Sequence, residues 1–345
     1  LTGRAVGGDR GGAPGERRGA DAGDAGGAGD AIAATEATEA TATEATGARV
    51  AAIRGHWGTR AGLAALKLVS RLPLPVLRPL GSVLGTLAWW MALPRRRVTL
   101  VNLRLCFPDL PERERRRLGR EHFRWFMRSI LERFIVWFGP PERIRALVRI
   151  EGEALLREHL GRPLIILAPH FVGLDACGMR LAMMGSFVTM YQRQKNPVVD
   201  AAMRAGRQRF PGAVVLSRQE GVRAAVRRVR DGLPFYYLPD MDLGARDAVF
   251  VPFFGVPAAT VTATARLVQL TGATVLPFVT LMTPDGYVGR FHPPLPHVPG
   301  EDVETATRRL NAFIEERVRE APAQYLWSHK RFKTRPPGEP GVYGD

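Results

Sequence analysis

The spacing of apolar positions changes character three times along the chain. Residues 1–47 hold almost no large apolar side chain: 25 of the 47 are Gly or Ala, and Ala31–Gly47 repeats Ala-Thr-Glu. Such a stretch cannot bury enough surface to offset its conformational entropy, so residues 1–50 are predicted to be a disordered, low-complexity extension. The apolar run of a secretory signal is missing from it. Residues 51–97 read differently. Gly62–Val76 is apolar with a few cations, and Pro79–Pro94 is sixteen residues without a charge, followed at once by Arg95, Arg96 and Arg97. A spanning helix needs about 20 apolar residues. Sixteen is short, and Gly81, Gly85 and the Trp89–Trp90 pair suit a helix in the membrane interface. The competing reading is a helix buried in a soluble core. If the segment spans, the three arginines place the rest of the chain on the cytoplasmic side.

After residue 98 the period is helical. Pro111 opens a run in which Leu118, Phe123, Phe126, Met127, Ile130, Phe134 and Ile135 share one face opposite a basic one. From Arg149 short apolar runs alternate with helical ones. Strands are predicted over Pro163–Pro169, Ser186–Tyr191, Ala213–Ser217, Pro234–Leu238, Thr274–Thr280 and Tyr287–Phe291. Helices are predicted over Gly173–Met184, Val198–Phe210, Glu220–Arg230, Ala258–Thr271 and Asp302–Glu320. This alternation predicts an α/β fold with a mostly parallel central sheet flanked by helices, over residues 98–340, preceded by an N-terminal helical membrane-associating region. Sites in such sheets form beyond the carboxyl ends of the strands.

Charge narrows the partners. Lys and Arg number 49 against 33 Asp and Glu, a net of +16 over 345 residues. Residues 1–47 carry four Arg and eight acids, so the remainder carries +20. The body of the protein therefore seeks an anionic partner: nucleic acid, anionic lipid or a phosphorylated substrate. Nucleic acid is the weakest of these, because no helix-turn-helix, RNA-binding or zinc-finger signature accompanies the basic runs. Two cysteines, Cys106 and Cys177, exclude a disulfide framework and a zinc ribbon.

Three strand ends hold candidate chemistry. The first strand runs into His170-Phe171-Val172-Gly173-Leu174-Asp175. A His followed five residues later by Asp, on a strand–loop–helix turn, can form a general base whose second ring nitrogen is oriented by a carboxylate. The plainer reading is a loop histidine and a helix-capping aspartate. The second strand is followed by Arg193, Lys195 and Asn196, a cation-rich end suited to phosphate, with Arg204 and Arg207 on one face of the next helix. A solvated basic face explains those arginines equally well. The third end carries Asp240 and Asp242, which read either as a metal site or as carboxylates binding cations and hydroxyls; metal is the weaker reading, since no third carboxylate or histidine is spaced to join them. Val249–Val256 reads as an apolar loop that either lines a hydrocarbon pocket or packs in the core. The terminal Gln324–Pro337, with aromatic and basic residues interleaved, reads by itself as a strip for a polyanion or a membrane surface.

Taken in order, HFVGLD, YQRQKNP, PDMDLG, VFVPFFGVPAATVTATARL and QYLWSHKRFKTRPPG resemble the late lipid A acyltransferases, the lauroyl and myristoyl transferases of Gram-negative bacteria, within the glycerolphosphate acyltransferase superfamily. The likeness runs from about Gly62 to about Pro340. The third block reads Leu-Pro-Asp-Met-Asp-Leu-Gly, unlike the Phe-Pro-Glu-Gly-Thr-Arg usual in the phospholipid branch, and it departs from many lipid A members at Met241. The resemblance implies an enzyme at the cytoplasmic face of the bacterial inner membrane. It would move a fatty acyl chain from acyl carrier protein to a hydroxyacyl chain of a Kdo-bearing lipid A precursor, without cofactor or metal. It further implies His170 as general base, Asp175 as its orienting carboxylate, and Arg193, Asn196, Arg207, Asp240 and Asp242 as substrate-binding residues. Its implied partners are acyl carrier protein, the lipid precursor and the phospholipid surface, with no nucleic acid. The remaining readings are an acyltransferase of another phospholipid or glycolipid acceptor, and a non-catalytic membrane-binding protein.

Overall fold

The computed structural model describes residues 57–344 apart from 192, 218–220 and 297–299. The extension expected over residues 1–50 lies outside them. In chain order the elements are α1 (Trp57–Val69), α2 (Leu74–Met91), α3 (Leu93–Cys106), α4 (Glu112–Phe138), α5 (Pro141–Leu147), β1 (Val148–Glu151), α6 (Glu153–His159), β2 (Leu164–Leu167), α7 (Leu174–Ala182), β3 (Phe187–Tyr191), α8 (Pro197–Arg207), β4 (Ala213–Ser217), α9 (Gly221–Arg230), β5 (Phe235–Tyr237), β6 (Ala248–Phe253), β7 (Val256–Val261), α10 (Ala263–Thr271), β8 (Thr274–Thr283), β9 (Gly286–Phe291) and α11 (Val303–Glu320).

Seven strands form one sheet in the order β1-β9-β8-β2-β5-β3-β4. Every pairing is parallel except the β8–β9 hairpin. The mostly parallel sheet therefore stands as expected. Its centre is β2, whose four residues Leu164, Ile165, Ile166 and Leu167 are all buried. Leu164 and Ile166 face a cluster with Phe134 of α4 and Ala176 of α7. Ile165 faces Val229, Leu267 and Val268 of α9 and α10, and Leu167 faces Leu310 and Ile314 of α11. Helices on both faces are why this strand reads as an unbroken apolar run and not as an alternation. Each of these side chains contributes about 1.5–3 kcal/mol through burial.

Two stretches differ from the pattern-based expectation. The segment Val249–Val256, read as a loop, is most of β6 and its turn; Ala258–Val261, read as the start of a helix, lies in β7. The two strands pair antiparallel from Ala248–Val261 to Phe253–Val256, as a separate ribbon. Phe254 and Gly255 both have positive φ, 53° and 76°, which matches the tight turn of a two-residue hairpin. A left-handed phenylalanine is costly, and the buried ring recovers that cost by packing against Phe107, Phe253 and Trp327. Phe253 and Phe254 are thus core residues.

The N-terminal helices belong to the same compact unit as the sheet. α2 lies along α4 with its glycines at the contact. A Cβ at Gly81 would meet the Arg128 Cα at 2.8 Å, and one at Gly85 would meet the Phe123 carbonyl oxygen at 2.5 Å. Gly81 and Gly85 are one turn apart, so they form a flat strip on which the α4 backbone rests. Leu77 and Trp89 continue the buried side. Arg78, also buried, donates to Glu132 of α4 and to the carbonyls of Thr283, Pro284 and Gly286 in the β8–β9 turn, which ties α2 to the sheet. Among the described residues no single helix is long and apolar enough to cross a membrane; α2 and α3 pass that test only as a pair, bent by 91°. The uncharged run Pro79–Pro94 is therefore broken at Ala92 between two helices.

Gly85→Ala is expected to destabilise the protein by about 1–3 kcal/mol, since the clash is with backbone and not with a movable side chain. Urea unfolding checks this. A midpoint equal to that of the unsubstituted protein would mean that α2 and α4 do not approach so closely.

Candidate active site

β2 and β5 are neighbours in the sheet although 70 positions separate His170 and Asp240, which stand just beyond them. The pairing extends past Leu167, where Ala168 N–H donates to the Tyr237 carbonyl at 2.9 Å. Both strands end at the same edge, and the chain there brings His170 onto Asp240. His170 Nδ1 lies 2.6 Å from Asp240 Oδ1, and the His170 backbone N–H donates to Oδ2 at 2.8 Å. The carboxylate is wholly buried while the imidazole is 19% exposed. Burial alone would raise the Asp240 pKa; the adjoining His170 ring and its hydrogen bonds outweigh it and hold the carboxyl below its ordinary value. Burial, and then the negative charge of nearby Asp240, raise the pKa of the Tyr325 hydroxyl well above its ordinary value. An ionised carboxylate on Nδ1 fixes the tautomer that leaves the Nε2 lone pair free to take a proton.

Asp175 does not make that contact. It sits in the first turn of α7, where Arg133 of α4 reaches it at 2.6 Å and Arg207 of α8 at 3.0 Å. The carboxylate on His170 Nδ1 is therefore that of Asp240 and not, as the sequence spacing suggested, that of Asp175. The reason is topological: α7 faces α4 and α8, whereas the loop after β5 faces the loop after β2. Burial pushes the Asp175 pKa up, but the two guanidinium groups win and hold it at about 2.

The other anticipated residues are dispersed. Asn196 caps α8, its side-chain oxygen accepting from Val198 and Val199 N–H at 3.0 and 3.2 Å. Its amide donates to Thr59 of α1. Arg193 is exposed on the loop after β3. Asp242 is buried and accepts from the Thr334 N–H and hydroxyl, at 2.7 and 2.8 Å, and from Gly244 N–H. It fastens the C-terminal segment to the β5 loop. Among the described residues no group of three or more His, Cys, Asp or Glu is placed to hold a metal ion. Both cysteines are buried, and burial raises both thiols well above their ordinary pKa.

Sequence reasoning did not assign Arg133, Tyr325, His329 or Arg331. The last three lie in the terminal block, where aromatic and basic residues suggested an exposed strip. The structure buries it: Tyr325, Trp327, Arg331 and Phe332 are all core residues. Arg331 donates to the Ala259 carbonyl and the Thr260 hydroxyl, both at 2.8 Å. Composition alone does not distinguish a buried arginine, satisfied by carbonyls, from a solvated one.

The profile of the family described as bacterial lipid A biosynthesis acyltransferase matches residues 47–334. The chain is 34% identical over 293 residues to the lipid A biosynthesis lauroyltransferase of Escherichia coli (strain K12), covering 84% of this chain and 95% of that one. It is 32% identical over 293 residues to the lipid A biosynthesis palmitoleoyltransferase of the same organism, with 84% and 95% covered. Against the lipid A biosynthesis myristoyltransferase of that organism the identity is 32% over 294 residues, with 82% and 89% covered.

The Asp175 cluster has a pH signature. A carboxyl whose pKa falls on folding stabilises the protein above its unfolded value, near 3.8, and loses that contribution as the pH drops toward about 2. Asp175→Asn is expected to cost about 1–3 kcal/mol at pH 7. The gap to the unsubstituted protein should close progressively below about pH 4 in urea unfolding. A gap independent of pH would show that the ion pairs do not contribute in this way.

Proposed function

Because the chain belongs to the bacterial lipid A biosynthesis acyltransferase family, we propose that it transfers a fatty acyl chain from acyl carrier protein to a hydroxyl of a hydroxyacyl chain on a Kdo-bearing lipid A precursor. The observation that carries this reading is the His170–Asp240 pair at the carboxyl ends of the central strands. His170 Nε2 takes the proton of the acceptor hydroxyl as its oxygen attacks the thioester carbonyl. Asp240 holds the ring by Nδ1 and stabilises the imidazolium that forms. When the C–S bond breaks, the departing thiolate recovers the proton from His170. The transfer is direct: both buried thiols are pushed toward the unreactive protonated form. Arg133 and Arg207, partly exposed around Asp175, and the exposed Arg193 supply positive charge near the strand ends for a phosphorylated acceptor. The +20 body suits an acidic carrier protein as well.

The proposed location is the cytoplasmic face of the inner membrane, with α1–α3 as the contact. On α2 the side opposite Gly81 and Gly85 is apolar and open. Val76, Leu80, Val83, Leu87, Trp90 and Met91 form an exposed row, with Val83 57% and Met91 79% exposed. Leu93 extends it, and Arg95–Arg97 come directly after. An apolar row bordered by arginines fits a helix lying in an anionic interface.

His170→Ala should lower acyl transfer from acyl carrier protein by about 10²–10⁴-fold or more while the fold persists, and Asp240→Asn should lower kcat within the same range. An assay with the Kdo-lipid A precursor, alongside circular dichroism, checks both; full activity in either variant sinks the mechanism. The double substitution Val83→Glu, Leu87→Glu should reduce sedimentation with phosphatidylglycerol-containing vesicles and leave the melting temperature near its original value. Undiminished sedimentation would remove α2 from the interface.

A further inference from the structure

Two imidazoles are held by the loop that comes after β5. Asp240 grips His170, and two residues on, the Asp242 backbone N–H donates to His329 Nε2 at 3.1 Å. Only a ring nitrogen bearing a lone pair can accept that bond, so a neutral His329 carries its single proton on Nδ1. Burial, and then the charge of nearby His170, lower the His329 pKa to about 4, so the ring is neutral near pH 7.

The backbone around His329 is pinned on every side. Its carbonyl accepts from Asn102 Nδ2 at 2.7 Å and from Arg331 N–H at 2.9 Å. One turn back, Leu326 N–H donates to the His170 carbonyl at 3.0 Å, and Phe171 bridges Tyr325. The two histidines thus share a rigid frame but have opposite capacities: a lone pair on His170 Nε2, an N–H on His329 Nδ1. Two cations of the same segment hydrogen-bond elsewhere, the buried Arg331 to the Ala259 carbonyl and the partly buried Arg335 to the Pro257 carbonyl.

We propose that His329 donates its Nδ1–H to the carbonyl oxygen of the acyl thioester, an inference that rests on the acyl-transfer reading above. As the acceptor oxygen bonds to the thioester carbon and its proton moves to His170 Nε2, the carbonyl π pair shifts onto oxygen. The His329 N–H hydrogen-bonds the oxyanion. The pair then returns, the C–S bond breaks, and the thiolate leaves with the proton from His170. A neutral donor fixed in advance is what such a charge requires, because it neither competes for the proton nor has to reorient.

Two substitutions separate the ring's two nitrogens. Gln at 329 keeps an acceptor where Nε2 lies and loses the Nδ1 donor; Asn keeps a donor near Nδ1 and loses the bond from Asp242. His329→Gln is expected to lower kcat by about 10²–10³-fold with KM little changed. His329→Asn should retain at least about ten times the kcat of the Gln variant, although its melting temperature falls. A smaller ratio overturns the donor role. Should the Gln variant not fold, the imidazole ¹⁵N shifts of the unsubstituted enzyme decide: a proton on Nδ1 is expected, and one on Nε2 overturns the proposal. If the unsubstituted protein transfers no acyl chain to the precursor, the acyl-transfer reading itself fails, and the His329 role with it. Activity retained in His329→Gln beside an active unsubstituted enzyme refutes the His329 role alone.

Discussion

The insertion of β5 between β2 and β3 is the constraint on which the candidate site depends. The chain runs outward from β2 to β3 and β4, then returns to place β5 against β2. Without that return, His170 has no carboxylate on Nδ1. The parallel register sets both strand ends at one height, and the 2.6 Å contact is its consequence. Burying Asp240 is tolerable because the His170 backbone N–H and the His170 ring both hydrogen-bond it. A carboxylate so held is ionised and immobile, which are the two properties that orienting an imidazole requires.

Around this centre the termini of the folded unit close on each other. Asn102 of α3 donates to the carbonyls of Trp327 and His329, and Tyr343 donates to Asn102 and accepts from Phe332 N–H. Asp242 grips Thr334 from the other side. The terminal block is thereby fixed against the loop after β5, in part by bonds reaching across 225 and 241 positions. On the opposite flank, the Gly81–Gly85 strip and buried Arg78 fix α2 to α4 and to the β8–β9 turn, and the outer face of α2 is left exposed.

Much of the fold was legible along the chain. Each strand predicted from an apolar run between turn residues exists, because burial on both faces demands unbroken apolar sequence. The helix periods of α4, α8, α9 and α11 are likewise present. The β6–β7 ribbon was not legible: its alanines and threonines suit helix or strand, and the two positive φ values that turn it rest on Phe254, a residue no turn rule favours. The terminal block misled for a related reason. Lys, Arg and aromatic side chains have the same composition whether they cover a surface or fill a core.

What the sequence determined by itself was local. It set which segments are strands or helices, that His170 stands just past a central strand, that carboxylates and cations stand at the other strand ends, and that the folded part is strongly basic. These depend on neighbours within a few residues, where periodicity and turn chemistry operate. Which carboxylate meets His170 was decided only by the tertiary structure. Asp175 is five positions away yet belongs to Arg133 and Arg207; Asp240 is seventy positions away yet lies in contact. Strand order and helix packing create that difference, and both arise from interactions too distant along the chain for spacing to register.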